Sequence, residues 1–323
     1  TAGGMSYLFY SLAGAIIALF GLMVIYHEAG TLDFVPGGYV TEEHSSMLLL
    51  IGIFACVIGF GAKGGLYPLH AWLPAAHPQA PAPASALLSG IITKSGVIAI
   101  LRLLFYVIDP ALIRGTWVQC TLLTGALGTI LIGSALALTE KNLKRRLAFS
   151  SVSQVSYVLA GLFLLNNTAA LGALLQIIFH MIAKSGLFLC AGALIWFTGK
   201  SQAEDYIGLG KKYPAVFVCY TVFSLSLIGI PPAGGFYSKW YLAQGALENA
   251  GPFAYIVPIV LLVSALLTAG YLLPVTGKAF FSGKDLPQNI ERERTPAAFL
   301  LPLILLAAAA ILPGLFFPSV GEA

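Results

Sequence analysis

Charge is scarce in this chain. Asp, Glu, Lys and Arg make up 9% of its 323 residues, 58% are hydrophobic and the mean hydropathy is +0.89. A soluble domain carries about 25% charged residues, so a water-soluble fold is excluded and an integral membrane protein remains. The net charge of +4 is small and confined to one set of loops, which speaks for topology rather than nucleic acid. Cysteine patterns are missing too: Cys56, Cys120, Cys190 and Cys219 stand singly in apolar runs and read as small lipid- or core-facing residues. Without a cysteine ligand set or a P-loop, no cofactor is expected in this chain. Alternating strand-like hydrophobicity is absent, which argues against a barrel. The first apolar run is too long and too poor in basic residues for a signal peptide, and the chain begins at Thr1 rather than Met.

What the chain has instead is apolar length. A crossing needs about 20 apolar residues, and nine stretches qualify: 5–26, 47–73, 83–108, 118–139, 148–165, 169–198, 215–245, 253–281 and 296–317. Nine crossings put the ends on opposite sides. The loops after crossings two, four, six and eight hold eleven basic residues: Lys141, Lys144, Arg145, Arg146, Lys200, Lys211, Lys212, Lys278, Lys284, Arg292 and Arg294. The other loops hold only Arg114. The positive-inside rule then puts the N-terminal end in the cytoplasm and the C-terminus outside.

Five basic residues fall within crossings: Lys63, Lys94, Arg102, Lys184 and Lys239. Arg102 lies near a helix end and can snorkel as an anchor. The four lysines lie deeper, while all thirteen acidic residues fall in loops or at helix ends. A buried ammonium without a carboxylate is expensive, so these lysines are functional candidates. Burial disfavours a charged amine, and a second ammonium nearby disfavours it further. Such groups can exchange protons near neutral pH, as a hydrated surface lysine cannot.

Two crossings are interrupted. FGAKGGLYPLHAWLP breaks the second at Gly64, Gly65 and Pro68, and SLIGIPPAGGFYSKWYL breaks the seventh at Pro231, Pro232, Gly234 and Gly235. Backbone exposed at that depth survives only against protein or water, so Lys63 and Lys239 are expected in wet pockets. The two broken crossings are five apart and so run in opposite directions, as in an inverted repeat, although Gly and Pro are common enough in membrane helices for coincidence. On that reading residues 1–108 are the last three helices of a first repeat, 118–283 a complete second repeat and 296–317 a final helix. The fold is therefore all-α, with about nine transmembrane helices, two of them discontinuous, in partial inverted five-helix repeats.

Other polar residues join the lysines. Gln176, His180 and Lys184 share one face of crossing six. His180 is either a satisfied core histidine or a relay. Ser85, Ser89 and Thr93 share a face beside Lys94 and can serve close packing alone. His70, in the second half of the broken crossing two and two turns along from Lys63, extends a proton path or caps the interface with Trp72. His77 reads as structural or exposed, and His27 and His44 flank an acidic loop.

The stretches PLHAWLPAAHPQAPAPASALLSGIITKSGV, KRRLAFSSVSQVSYV, HMIAKSGLFL and GIPPAGGFYSKW together resemble the antiporter-like subunits shared by respiratory complex I, group 4 membrane-bound hydrogenases and Mrp-type cation/proton antiporters. The HAWLPAAHP and IGIPPAGGF runs are more similar to the hydrogenase and Mrp branches than to a mitochondrial subunit. The resemblance implies fourteen helices in the family, of which this chain would be the last nine. It also implies that Lys63 pairs with a glutamate on a preceding helix, that Lys94 is the central lysine and Lys239 the terminal one. His180 and Lys184 would lie on the polar helix between two half-channels.

The expected function is proton translocation along Lys63, Lys94, Lys184, Lys239, His180 and His70. The chain would be a non-catalytic pumping subunit of an oxidoreductase complex, of NADH-quinone oxidoreductase or hydrogenase type. Its partners would be other membrane subunits, a peripheral redox arm, protons and the bilayer of a bacterial or archaeal inner membrane. Exchange of Na⁺ for protons is the alternative, weakened by the lack of intramembrane carboxylates. A purely structural anchor would leave four buried lysines unexplained.

Overall fold

The computed structural model describes residues 2–31, 33–41, 43, 46–249, 251–281 and 293–320, without the side chains of 317–320. Thr1, His44, Lys284 and Arg292 lie outside the described residues. Among the described residues seven helices are long and apolar enough to cross a bilayer: α1 (Ala2–Ala29), α2 (Met47–Gly64), α4 (Ala82–Val107), α5 (Trp117–Thr139), α7 (Asn167–Thr198), α10 (Phe253–Phe281) and α11 (Ala297–Val320). The five-residue α3 (Trp72–Ala76) lies between α2 and α4. Two further crossings are less apolar or interrupted. α6 (Leu143–Phe163) has 21 residues, enough for about 30 Å, and carries serines where its neighbours carry leucine. α8 (Pro214–Ile228) and α9 (Gly235–Leu247) are the halves of one broken crossing.

Both breaks follow from backbone chemistry, with bounds that correct the sequence reading. α2 ends on Gly65, whose φ of 82° suits the left-handed cap that glycine adopts without a Cβ penalty. Gly64 is still helical, and residues 65–71 form the turns that interrupt crossing two. Pro68 lies within those turns. α8 ends in the same way on Gly229, at φ 91°. Gly234 and Gly235 therefore start α9 rather than interrupt a helix, and Pro231 and Pro232 lie in the turn between.

Loop contacts sort the two faces. Lys144 Nζ donates to Ala80 O at 2.9 Å, Leu143 N to Ser201 O at 2.9 Å, Gly208 N to Lys278 O at 3.2 Å and Glu293 N to Lys212 O at 3.1 Å. These contacts gather Lys141–Arg146, Lys200, Lys211, Lys212, Lys278 and Arg294 into one basic face. At the opposite face Arg114 Nη2 donates to Leu165 O at 2.8 Å and Asp109 N to Val40 O at 3.0 Å, and Arg102 lies over the Phe34 ring.

α6 and α7 form the centre, and every residue of α6 from Leu147 to Phe163 is buried. Two apolar clusters grip this pair. One holds Val155, Val158, Leu162 and Phe163 of α6 with Ala169 and Ala173 of α7; the other holds Leu143, Leu147 and Phe149 with Ala183, Leu187 and Leu194. Between them, at mid-depth, lie Ser150, Ser151, Ser153, Gln154, Gln176 and His180. The core is an apolar sandwich with a polar filling.

Candidate functional site

Lys94 stands just after a π turn, Leu88–Ile92, in α4. The turn moves the Thr93 N–H onto Leu88 O, five residues back, and so frees the Ser89 carbonyl. That carbonyl accepts from the Thr93 hydroxyl at 3.0 Å and from the Lys94 ammonium. Lys94 Nζ also lies 2.7 Å from His180 Nδ1 on α7, close enough for the two nitrogens to share a proton. Lys94 is 4% exposed.

One turn further along α7, Lys184 is 0% exposed and donates to Leu147 O of α6 at 2.8 Å. The Leu147 carbonyl also accepts from Ser151 Oγ at 3.0 Å, and Ser151 meets Ser89 Oγ at 2.7 Å. Lys94 and Lys184 are thus joined through α6 as well as along α7. In the other direction Gln176 Nε2 donates to Gln154 Oε1 at 2.8 Å, and Ser238 Oγ donates to Gln176 Oε1 at 2.6 Å. Ser238 precedes Lys239, which donates to the Leu227 and Ile228 carbonyls at the cut end of α8 and lies 5.4 Å over the Tyr157 ring.

The structure brings Lys94, His180, Lys184 and Lys239 into one belt. Its ammonium groups are held by backbone carbonyls: a π turn frees one and a helix end frees two, where the dipole is negative. Among the described residues the ion pairs, Arg145–Glu140 at 3.3 Å and Lys212–Glu293 at 3.2 Å, both lie at the basic face. The pocket expected around Lys239 is therefore a carbonyl cage. Lys63 differs: it is half-buried, 5.9 Å over the Tyr7 ring, on a cleft of about 540 Å³ between α1, α2 and α4.

One histidine departs from expectation, and another takes the structural one of its two readings. His70 lies in turns rather than on a helix continuing from Lys63; its ring rests 5.4 Å from that of Tyr67 and its buried Nδ1 has no partner. It does not join the belt, because the break redirects the chain. His77 is not exposed: it is 0% accessible, stacked at 4.6 Å on Phe188, with both ring nitrogens unpartnered. Ser151, Gln154 and Ser238 escaped sequence reading, although the serine spacing of LAFSSVSQVSYV is visible in it. His180 Nε2 and Gln154 Nε2, both buried without a partner, mark the step between His180 and Gln176. The serines beside Lys94 therefore do more than allow close packing.

The family described as NADH:quinone oxidoreductase/Mrp antiporter, TM matches residues 1–282. The chain belongs to this antiporter-like membrane family. It is 38% identical over 285 residues to NADH-quinone oxidoreductase subunit N of Desulforudis audaxviator, covering 88% of this chain and 56% of that protein. It is 34% identical to hydrogenase-4 component B of Escherichia coli, covering 79% of this chain and 40% of the other. A subunit in the structure of the Mrp complex from Dietzia superposes with a TM-score of 0.87 at 24% identity, covering 99% of this chain and 66% of that one. The chain spans about half the length of the curated relatives it matches.

Proposed function

We propose that this antiporter-like chain carries protons across mid-membrane along Lys94, His180, Gln176, Ser238 and Lys239, with Lys184 as a side branch. The observation behind this reading is the row of buried polar groups between two apolar clusters, hydrogen-bonded from Lys94 to His180 and from Gln154 through Gln176 to Ser238, with one open step between His180 and Gln176. Proton transfer needs groups within hydrogen-bond reach or one water apart, and a lysine beside a histidine supplies both an acid and a base. Ammonium groups packed this closely repel one another, so a proton arriving at one lysine favours departure from the next. The carbonyl cages let each ammonium exist transiently without a fixed counter-ion.

The basic face is the cytoplasmic one on this reading, in the plasma membrane of a bacterium or archaeon. Residues 118–283 act as one inverted repeat and 1–108 as the later part of another. The chain works with other membrane subunits and a peripheral redox arm that drives it, binding no cofactor itself. An acidic side chain from outside these 323 residues approaches Lys63 across its cleft, because an opposite charge within about 4–6 Å is the strongest means of favouring its charged form.

Vesicles containing the whole complex test the proposal. Redox-driven acidification that persists without Na⁺ supports it. Na⁺ movement in strict exchange for protons, absent when Na⁺ is removed, would replace it with antiport. Among the described residues the belt holds no carboxylate, and its free backbone carbonyls are taken by the lysines.

A further inference from the structure

α6 has a second polar face. Ser151 and Gln154 turn toward α4 and α7, whereas Ser150, Ser153 and Tyr157, spaced at three and four residues, turn toward α5 and α10. There Ser150 Oγ meets Tyr271 Oη, which donates to Thr268 Oγ1 at 3.2 Å. One turn deeper, Ser134 Oγ lies 2.6 Å from Ser264 Oγ and 2.8 Å from Ser153 Oγ, and Ser153 and Ser264 are 3.3 Å apart. All of these serines, and Thr268, are fully buried. Tyr157 follows one turn beyond, donating to Leu261 O at 3.0 Å, with Lys239 over its ring.

At the basic face a cleft of about 90 Å³, lined by Arg146, Glu204, Lys278 and Tyr271 among others, leads to the head of this column. A water needs about 10–15 Å³ of such space, so several fit. Hydroxyls that only fasten helices bond back to a carbonyl one turn away. Thr268 does this, to Ser264 O at 2.7 Å, and Ser153 donates across to Ile130 O at 2.9 Å. Apart from the Tyr157 bond to Leu261 O, the remaining contacts run hydroxyl to hydroxyl, and each such group both gives and takes a proton.

We propose that this column is a second proton access route, from the basic face through Tyr271, Thr268, Ser264, Ser134, Ser153 and Tyr157 to Lys239. It rests on the proton-translocation reading above and adds an access that bypasses Lys94 and His180. Each hydroxyl accepts one proton and releases one, so only O–H and N–H bonds exchange, and the Lys239 amine is the final acceptor. One water spans each of three gaps: between the Thr268 and Ser264 hydroxyls, between Ser153 and Tyr157, and between Tyr157 and Lys239.

The test uses the whole complex in proteoliposomes. Ser153→Ala with Ser264→Ala, and separately Tyr271→Phe, are expected to slow proton uptake from the basic face by about tenfold or more. Ser264→Thr, which keeps the hydroxyl, should restore most of the rate. Should the double variant fail to assemble, Tyr271→Phe and Ser264→Thr decide alone. Uptake at the wild-type rate in Tyr271→Phe and in any double variant that assembles overturns the route and leaves the lysine belt standing. No proton uptake by the wild-type complex overturns both.

Discussion

At the first break neutral donors take the carbonyls left free at the end of α2. Gly65 N donates to Ala62 O at 3.3 Å, Leu66 N to Gly61 O at 2.9 Å, and the buried Trp72 indole to Ala62 O at 2.9 Å. At the second break Gly229 N and Ile230 N both donate to Leu225 O at 3.0 Å, and Lys239 takes the Leu227 and Ile228 carbonyls. The same glycine-capped cut thus serves two purposes. Trp72 closes the first without charge and leaves Lys63 available at its cleft. Lys239 closes the second itself, so its charge and the end of α8 form one electrostatic unit.

The sharpest way to break this comparison is to remove each lysine. Lys239→Ala leaves two membrane-buried carbonyls without their donor and should cost about 3 kcal/mol of stability. Lys63→Ala, which strands no acceptor, should stay within about 0.5 kcal/mol. Thermal unfolding of the detergent-solubilised chain measures both, and equal losses would remove the distinction.

Next come the caps. Gly65→Ala and Gly229→Ala each place a Cβ at positive φ, at a cost of about 1–2 kcal/mol. A Cβ at Gly229 would stand 2.8 Å from Lys239 Cδ, whereas at Gly65 it would meet Leu73 Cδ1. Proton transport measured at matched protein levels should therefore fall further in Gly229→Ala. An equal fall in both would mean that Lys239 gains nothing from its seat.

Smaller effects sharpen the contrast. In a Cys120→Ser background, Lys63→Cys should react with a small polar thiol reagent, and Lys94→Cys should resist it; labelling of both would show that the belt is open. Smallest is the tie at the basic face. Tyr213 Oη donates to Glu293 and Lys212 pairs with it, holding that carboxyl below the usual glutamate range, with the Tyr213 bond the larger cause. A lowered folded value means the tie is complete above the ordinary glutamate range and is lost as pH falls through the lowered value. Glu293→Gln should remove this acid sensitivity from the unfolding temperature; unchanged sensitivity would place it elsewhere.

The helices, the two faces and the buried lysines were legible in the sequence because each rests on composition along the chain. Apolar length marks crossings, loop charge marks faces, and lysine within an apolar run needs no partner to be noticed. The cages were not legible. A search for carboxylates overlooks Ser89 O, Leu147 O and Ile228 O, since backbone geometry decides which carbonyl is free. Gly229 carried a readable signal, a glycine shortly before a Pro-Pro turn, yet the prolines drew attention to the wrong residues. His77 read as a loop histidine because nothing in HPQAPAP reveals that the loop folds inward against Phe188.

The most direct test of the lysine belt is redox-driven proton transport by the whole complex carrying Lys94→Arg. Arginine keeps the positive charge and donates to the Ser89 carbonyl, but it does not release its proton at physiological pH. Assembly and stability should be near wild type while proton transport falls by about a hundredfold. Transport at the wild-type rate would show that Lys94 serves only as a fixed charge and that the protons travel elsewhere.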